Sequence, residues 1–275
     1  MATLGPSEFL LPIVLTTRNF ARAVYGCYAW TTFTLLTVMT LLAVLVLPGL
    51  GLRRAIAHTM AGVALRAIGM PVTLLRPDQL PEHPCVVVAN HASYLDGVVL
   101  KAALPARFSF VIKKEMVRVP FASLLLRRIG SQFVDRFNRH TGGLDARRLM
   151  RAAAAGQSLV FFPEGTFTSR VGLDRFHSGA FATAQRSGLP VVPVVIRGAR
   201  RALRCGSPWP KPGRLEVEIL TPIAPADPAG GALAVALLKD QARARILMAL
   251  GEPDLTVDSA EAPTTAAPAS LESTG

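Results

Sequence analysis

The stretch VVVANHASYLDG, Val86–Gly97, places a histidine and an aspartate five positions apart, shortly after a run of valines. The valine run is typical of a buried strand, and Ser93 is a suitable N-cap for a helix over 94–103. In an unbroken helix, residues five apart point about 140° away from each other. A strand-to-helix turn brings them together instead, so we predict that Asp96 contacts the imidazole of His91 at the edge of a sheet.

Short apolar runs alternate with helical stretches on both sides of this turn. This alternation predicts an α/β fold with a single mixed sheet covered by helices. Strands are predicted at 71–75, 85–89, 108–112, 132–135, 158–162, 191–196 and 215–220. Helices are predicted at 94–103, 121–129, 144–155, 179–187 and 232–250.

The N-terminal region carries no formal charge over residues 23–52. As a helix, this run is long enough to cross the roughly 30 Å hydrocarbon core of a bilayer, and it is too long for the apolar part of a signal peptide. A buried core helix is the alternative. Leu47-Pro48-Gly49 should break the helix, and a second helical segment suited to the headgroup region follows it. We predict membrane-anchoring helices over 1–70, a catalytic domain over 71–250 and a disordered tail over 251–275.

The composition is apolar and strongly basic, with 51% hydrophobic residues and a net charge of +12. A membrane surface or an anionic ligand fits this balance. Aromatic residues are only 7% of the chain, and it has no zinc-finger, helix-turn-helix or RNA-recognition signature, so we expect no nucleic-acid partner. The three isolated cysteines and the spacing of the five histidines predict neither disulfides nor a metal site.

Three further stretches accompany the first one: GSQFVDR at 130–136, FFPEGTFTSR at 161–170 and LPVVPVVIRG at 189–198. Together with NHASYLD they resemble, in order and spacing, the four blocks of the glycerolipid acyltransferase superfamily, in particular its 1-acyl-sn-glycerol-3-phosphate (lysophosphatidic acid) acyltransferase family. The resemblance implies transfer of a fatty acyl group from acyl-CoA or acyl-carrier protein to the free hydroxyl of 1-acyl-sn-glycerol-3-phosphate, which gives phosphatidic acid. It also implies a location at the cell membrane, with the active site on the cytoplasmic face, and no cofactor beyond the acyl donor as co-substrate.

His91 is the candidate general base for such a reaction, because imidazole has an ordinary pKa of about 6.5 and can remove a hydroxyl proton near neutral pH. Asp96 would fix its tautomer and stabilise the imidazolium that forms. The acceptor supplies the nucleophilic oxygen, so no enzyme serine is required, and the chain has no G-x-S-x-G elbow. Ser93 lies inside the first block and leaves a serine hydrolase as an alternative.

The third block, FPEGT, is expected to form a tight turn whose N–H groups and Thr166 hydroxyl can face an anion. The resemblance implies that Glu164, Gly165 and Thr166 bind the glycerol phosphate of the acceptor. Members of the family often continue directly into Arg-Ser, whereas here Phe167-Thr168 intervenes before Ser169-Arg170. This departure leaves three alternatives open, in which Arg170, Arg175 or neither of them is a phosphate ligand displaced from the usual position.

Arg136, which ends the second block, is the stronger phosphate candidate, because a guanidinium offers a two-pronged fork to phosphate oxygens. Lys113 and Lys114 follow a predicted strand and are further candidates. Two alternatives to phosphatidic acid synthesis stay open. One is acylation of another lysolipid, such as a lyso-ornithine lipid or a lysophospholipid, and the other is a lipid-binding protein without catalysis.

Overall fold

The computed structural model describes residues 6–135, 139–225 and 230–258, with side chains described for 19–135, 144–225 and 230–257. The helices are α1 (Pro6–Val46), α2 (Leu50–Ala67), α3 (Asp96–Ala103), α4 (Pro120–Arg128), α5 (Arg139–Ala154), α6 (Gly179–Arg186), α7 (Ala199–Ala202), α8 (Gly231–Leu250) and α9 (Leu255–Asp258). The strands are β1 (Val72–Leu75), β2 (Val86–Ala89), β3 (Ser109–Lys113), β4 (Gln132–Val134), β5 (Leu159–Phe161), β6 (Val191–Arg197) and β7 (Leu215–Ile219). Each predicted strand is present, with its ends within one residue of the prediction.

The strands form one seven-stranded sheet in the order β1-β7-β6-β2-β5-β3-β4. Strands β6, β2, β5, β3 and β4 are parallel, whereas β7 runs antiparallel to β6 and parallel to β1. The predicted single mixed sheet is therefore confirmed. Since carboxyl ends of parallel strands meet at one edge, the segments that follow these five strands share that edge of the sheet.

Helices cover both faces of the sheet, which explains the unbroken valine run in β2. Val87 joins the buried cluster on the face toward α2 and α3. Val86 and Val88 join the cluster on the opposite face, toward α6 and α8. Side chains alternate between the faces of a strand, and all three valines are fully buried. The strand that carries the first block is thus held rigidly from both sides.

Helix α1 ends at Val46 and α2 begins at Leu50, so the predicted break at Leu47-Pro48-Gly49 is confirmed. Within α1, Asn19–Val46 is long and apolar enough to cross a membrane by length and composition alone, with a mean hydropathy of 2.0. Only 22% of that apolar window is buried, which disfavours the alternative of a core helix.

Helix α1 is also tied to the rest of the domain near both ends of this apolar stretch. The hydroxyl of Tyr25 donates to the carbonyl of Ile68 at 2.6 Å, and the indole N–H of Trp30 donates to the carbonyl of Pro208 at 2.7 Å. The carbonyl of Leu45, which lies twenty residues after Tyr25, accepts a hydrogen bond from the guanidinium of Arg128 at 2.5 Å. The N-terminal helices therefore pack on the α/β domain.

The predicted tail begins too early. Arg243 of α8 pairs with Asp254 at 2.6 Å, the N–H of Leu173 donates to the carbonyl of Pro253 at 2.9 Å, and Leu255 is buried. These contacts hold residues 251–258 on the domain, although their composition is poor in apolar residues. The remainder of the predicted tail, 259–275, lies outside the described residues.

Candidate active site

The predicted site residues follow the carboxyl ends of neighbouring parallel strands. His91 follows β2, Glu164 follows β5, and Lys113 and Lys114 end or follow β3. These strands are adjacent in the sheet, so residues from three separate parts of the chain meet at one edge. Arg136 follows β4, the next strand in the order, but itself lies outside the described residues.

His91 and Asp96 form the contact expected from their spacing. The imidazole Nδ1 lies 2.8 Å from Asp96 Oδ2. The Asp96 side chain is fully buried, while 17% of the His91 side chain is exposed. A carboxylate only accepts hydrogen bonds, so it selects the tautomer that carries a proton on Nδ1. In the neutral ring Nε2 is then free to accept a proton, as a general base requires.

Asp96 also organises the turn before α3. Its Oδ2 accepts the backbone N–H of Ala92 at 2.6 Å and that of Ser93 at 2.8 Å. The sequence predicted a helix that starts at Tyr94, but the chain first makes a tight turn, in which the N–H of Asp96 donates to the carbonyl of Ser93 at 3.3 Å, and α3 begins at Asp96. The same carboxylate therefore shapes the turn and holds the imidazole.

Ser93 is not the N-cap of α3, contrary to the prediction. Its hydroxyl donates to the carbonyl of Leu203 at 2.8 Å and accepts the N–H of Leu95 at 3.2 Å. The side chain is fully buried. With its proton committed to a carbonyl and not to His91, Ser93 has the environment of a structural serine.

Asn90 joins the first block to the fourth. Its Oδ1 accepts the N–H of Ile196 at 2.7 Å, and its Nδ2 donates to the Ile196 carbonyl at 3.1 Å. Gly198 ends the fourth block with a φ of +88°, and a Cβ there would lie 2.4 Å from the carbonyl oxygen of Arg214. The fourth block thus serves packing and alignment at this edge of the sheet, since it supports the turn that carries His91.

Glu164 links the first and third blocks. Its Oε1 accepts the backbone N–H of His91 at 2.6 Å, and its Oε2 accepts that of Asp174 at 3.0 Å. Burial raises the pKa of Glu164 to about 7, although both backbone donors favour the charged form. Both oxygens are engaged within the protein, so the structure gives Glu164 a positioning role. Its contact with the acceptor phosphate stays a prediction.

FPEGT forms the expected tight turn, while the prediction that its N–H groups face an anion stays a prediction. Gly165 has a φ of +81°, a conformation that favours glycine, and its N–H donates to the carbonyl of Phe162 at 3.1 Å. Thr166 follows it on the exposed surface. The turn therefore presents Thr166 at the same edge of the sheet as His91.

The predicted phosphate ligands differ in their position relative to the sheet edge and in their exposure. Lys114 lies 3.4 Å from Asp135, and both residues follow strand ends at the shared edge. Lys113 is half-buried at the end of β3, directly before Lys114. Arg170 is exposed, and its backbone carbonyl accepts a hydrogen bond from Arg200. The two lysines are thus at the edge of the sheet that carries His91, while the loop of Arg170 is anchored by Arg200.

Three aromatic residues around His91 were missed by sequence reasoning. The imidazole stacks on Phe162, with centroids 4.3 Å apart and planes at 21°. Phe167 contacts the imidazole at 4.6 Å and 67°, and Tyr94 meets Phe167 edge-to-face at 4.6 Å. The available signal was the position of these residues inside the first and third blocks. No spacing rule could have predicted that Phe162 and Phe167 contact His91, or that Tyr94 contacts Phe167.

Metal-binding side chains do not cluster in the part of the chain that the structure describes. No group of three or more His, Cys, Asp or Glu residues there could hold a metal ion. The expectation of metal-free catalysis stays a prediction.

The chain is similar in sequence to known acyltransferases. Residues 72–197 match the Acyltransferase family. The chain is 32% identical over 133 residues to a 1-acyl-sn-glycerol-3-phosphate acyltransferase of Saccharomyces cerevisiae, covering 47% of this chain and 44% of the relative. It is 32% identical over 146 residues to the Neisseria meningitidis protein of that name, covering 52% and 55%.

A relative with another acceptor is also similar. The chain is 34% identical over 131 residues to a lyso-ornithine lipid O-acyltransferase of Pseudomonas aeruginosa, covering 46% of this chain and 48% of the relative. The chain spans about half the length of these curated relatives. Among solved structures, the 1-acyl-sn-glycerophosphate acyltransferase PlsC of Thermotoga maritima shares the fold, with a TM-score of 0.68 and 19% identity, covering 91% of this chain and 99% of that one.

Proposed function

We propose, from the match of residues 72–197 to the Acyltransferase family, that the chain transfers a fatty acyl group from an acyl thioester to the free hydroxyl of a lysolipid. The observation that carries the proposal is the 2.8 Å contact between His91 Nδ1 and Asp96 Oδ2. This contact orients Nε2 as a proton acceptor, and the turn that holds it lies at the edge of the sheet beside the FPEGT turn.

In the proposed reaction, Nε2 of His91 takes the proton of the acceptor hydroxyl as that oxygen attacks the carbonyl carbon of the thioester. The tetrahedral intermediate collapses with loss of the thiolate, which takes the proton back from the imidazolium. Asp96 stabilises the imidazolium between these steps. An ester and a free thiol result, and the residues need no covalent acyl-enzyme. We expect acyl-CoA or acyl-carrier protein as the donor, with no further cofactor.

The acceptor we favour is 1-acyl-sn-glycerol-3-phosphate, which the reaction converts to phosphatidic acid. Two relatives at 32% identity bear the name of that activity. Lys113 and Lys114 place basic side chains at the edge that carries His91, and Thr166 adds an exposed hydroxyl there. Arg136 follows the next strand, so it is the guanidinium proposed for the phosphate.

A lyso-ornithine lipid is the second candidate acceptor. The relative from Pseudomonas aeruginosa with that activity in its name is 34% identical. Phe167 contacts His91 and stands directly after FPEGT, where members of the family often have an arginine. An apolar ring at this point weakens the case for phosphate binding by the third block, since a ring supplies no hydrogen-bond donor.

The direct test is acyl transfer by the purified protein in detergent, with labelled acyl-CoA and acyl-carrier protein as donors. We expect phosphatidic acid as the major product when 1-acyl-glycerol-3-phosphate, lyso-ornithine lipid and lysophospholipids compete as acceptors. Preferential acylation of lyso-ornithine lipid would replace the favoured acceptor with the second one. Failure to acylate any of these lysolipids would contradict the proposed function.

We further propose that α1 lies in one leaflet of the membrane and does not cross it. The bonded residues Tyr25 and Leu45 are about 30 Å apart along the helix at 1.5 Å per residue, yet both are tied to the same domain. A spanning helix would place those ends on opposite sides of the bilayer, where one polar domain cannot reach both. The apolar side chains left exposed on α1 include Phe20, Leu35 and Leu42, and these would enter the hydrocarbon. We propose the cytoplasmic face of the cell membrane for the active site.

Cysteine labelling distinguishes the two arrangements. In a background with Cys27→Ser and Cys205→Ser, we expect Asn19→Cys and Gly51→Cys, two exposed positions that flank the apolar stretch, to react with a membrane-impermeant maleimide from the same side of sealed vesicles. The remaining Cys85 is buried and serves as the unlabelled baseline. Labelling of the two positions from opposite sides would show that α1 spans the membrane.

A further inference from the structure

The imidazole of His91 lies between two phenyl rings and a carboxylate. Phe162 covers one face of the ring, because its centroid is 4.3 Å away and its plane is nearly parallel. Asp96 holds the edge that carries Nδ1. The Phe167 ring, 4.6 Å away and tilted by 67°, cannot share the face that Phe162 occupies. Phe167 therefore lies against part of the imidazole surface that Phe162 and Asp96 leave open, and the Nε2 edge belongs to that open surface.

Tyr94 extends this cover toward solvent. Its ring meets Phe167 edge-to-face, with centroids 4.6 Å apart and planes at 89°, a favourable geometry for aromatic pairs. The Tyr94 side chain is 68% exposed, so this residue forms the outer rim. The Tyr94–Phe167 pair therefore lies between part of the imidazole and solvent.

Phe167 belongs to a loop that is held at both ends but is exposed between them. At its start, Glu164 accepts the backbone N–H groups of His91 and Asp174. At its end, the N–H of Gly172 donates to Glu252 at 3.0 Å. The residues flanking Phe167 are exposed, while Phe167 is half-buried. The ring is thus the part of the exposed segment that reaches inward.

We propose that Phe167 is a positioning residue: its ring caps His91, excludes water from Nε2, and gives way when the acyl chain and glycerol of the acceptor enter. This inference rests on the proposed acyltransferase function. The apolar cap also favours an amphiphilic acceptor over water, because the acceptor can replace the ring contacts with its own methylene groups. Water cannot compensate the lost contacts in this way.

The chemistry explains why such a cap is needed. With water in place of the acceptor, Nε2 would take a proton from water as its oxygen attacks the thioester carbonyl. A carbon–oxygen bond would form, the carbon–sulfur bond would break, and the proton would pass to the thiolate. The products would be a free fatty acid and a free thiol. His91 assists both reactions equally, so the choice between them depends on which hydroxyl group reaches Nε2.

The test measures two rates with the purified full-length protein and labelled acyl-CoA, namely acyl transfer to 1-acyl-glycerol-3-phosphate and thiol release without acceptor. For Phe167→Ala we expect the rate of transfer to fall about tenfold and the ratio of hydrolysis to transfer to rise about tenfold or more. Without the ring, water is no longer excluded from Nε2 and His91 and the acceptor are less well aligned. Phe167→Tyr restores an aromatic ring and should return the ratio to within about twofold of wild type.

Val171→Ala is the matched control, because Val171 is an exposed apolar residue of the same loop. It should leave both rates unchanged. Phe167→Leu guards against a folding defect, since it keeps apolar bulk and should give a ratio between those of wild type and Phe167→Ala. An unchanged ratio in folded Phe167→Ala would overturn the cap, even with reduced transfer. Absence of transfer by the wild type to any lysolipid would instead contradict the proposed function on which the cap rests.

Discussion

Replacement of His91 by alanine is expected to lower the rate of acyl transfer by about 10²–10⁴-fold, the usual contribution of a positioned general base. The acceptor hydroxyl is a weak nucleophile, and Nε2 is the proposed proton acceptor, which Asp96 orients through its 2.8 Å contact with Nδ1. The measurement is kcat with saturating acyl-CoA and lysolipid. The loss should lie mainly in kcat, because the imidazole acts on the reacting proton and not on the phosphate or acyl chain.

The variant should remain folded. His91 bonds to Glu164 through its backbone N–H, which alanine keeps, and Asp96 retains the N–H groups of Ala92 and Ser93. His83→Ala is the matched control, since it removes an exposed imidazole from a loop before β2. Activity of His91→Ala within about threefold of wild type would exclude the base assignment, given the expected size of the effect.

The sheet and the histidine–aspartate contact were predictable because both follow from local patterns. Strands β2 and β6 are continuous apolar runs in the sequence. The strand-to-helix turn brings His91 and Asp96 together independently of the rest of the chain. The ends of α3 and α5 were less predictable. A tight turn over Ser93–Asp96 precedes α3 and moves its start to Asp96. Gly142-Gly143 weakened the helical signal of α5, although the helix continues through them.

Other features of the site depend on long-range contacts that no local pattern encodes. Glu164 accepts the N–H of His91 from 73 residues away, and a strand-end glutamate resembles an ordinary loop charge in the sequence. The rings of Phe162 and Phe167 reach His91 only because β5 lies beside β2 in the sheet. The contact between Arg128 and α1 joins segments more than 80 residues apart. Such contacts depend on strand order, which periodicity does not specify.

The role of Asp96 can be divided into orientation and charge. Asp96 Oδ2 accepts three bonds, from His91 Nδ1, Ala92 N and Ser93 N, while Oδ1 is buried without a hydrogen-bond partner among the described residues. In Asp96→Asn, the amide oxygen can take the place of Oδ2 and the amide nitrogen that of Oδ1. The turn and the Nδ1–H tautomer are then kept and the negative charge is lost, while the amide N–H groups replace a buried oxygen that has no hydrogen-bond partner.

Asp96→Asn is therefore expected to lower kcat by about a hundredfold, because the imidazolium formed in the reaction loses its anionic partner in a buried site. Asp96→Ala should be slower still and should lower the free energy of unfolding by roughly 2–5 kcal/mol, since it leaves two buried N–H groups unpaired. Steady-state kinetics and chemical denaturation of both variants separate the two effects. If Asp96→Asn kept full activity, the charge would be unimportant and Asp96 would serve orientation alone. If it unfolded as readily as Asp96→Ala, the amide could not replace the carboxylate in the turn, and the division into orientation and charge would fail.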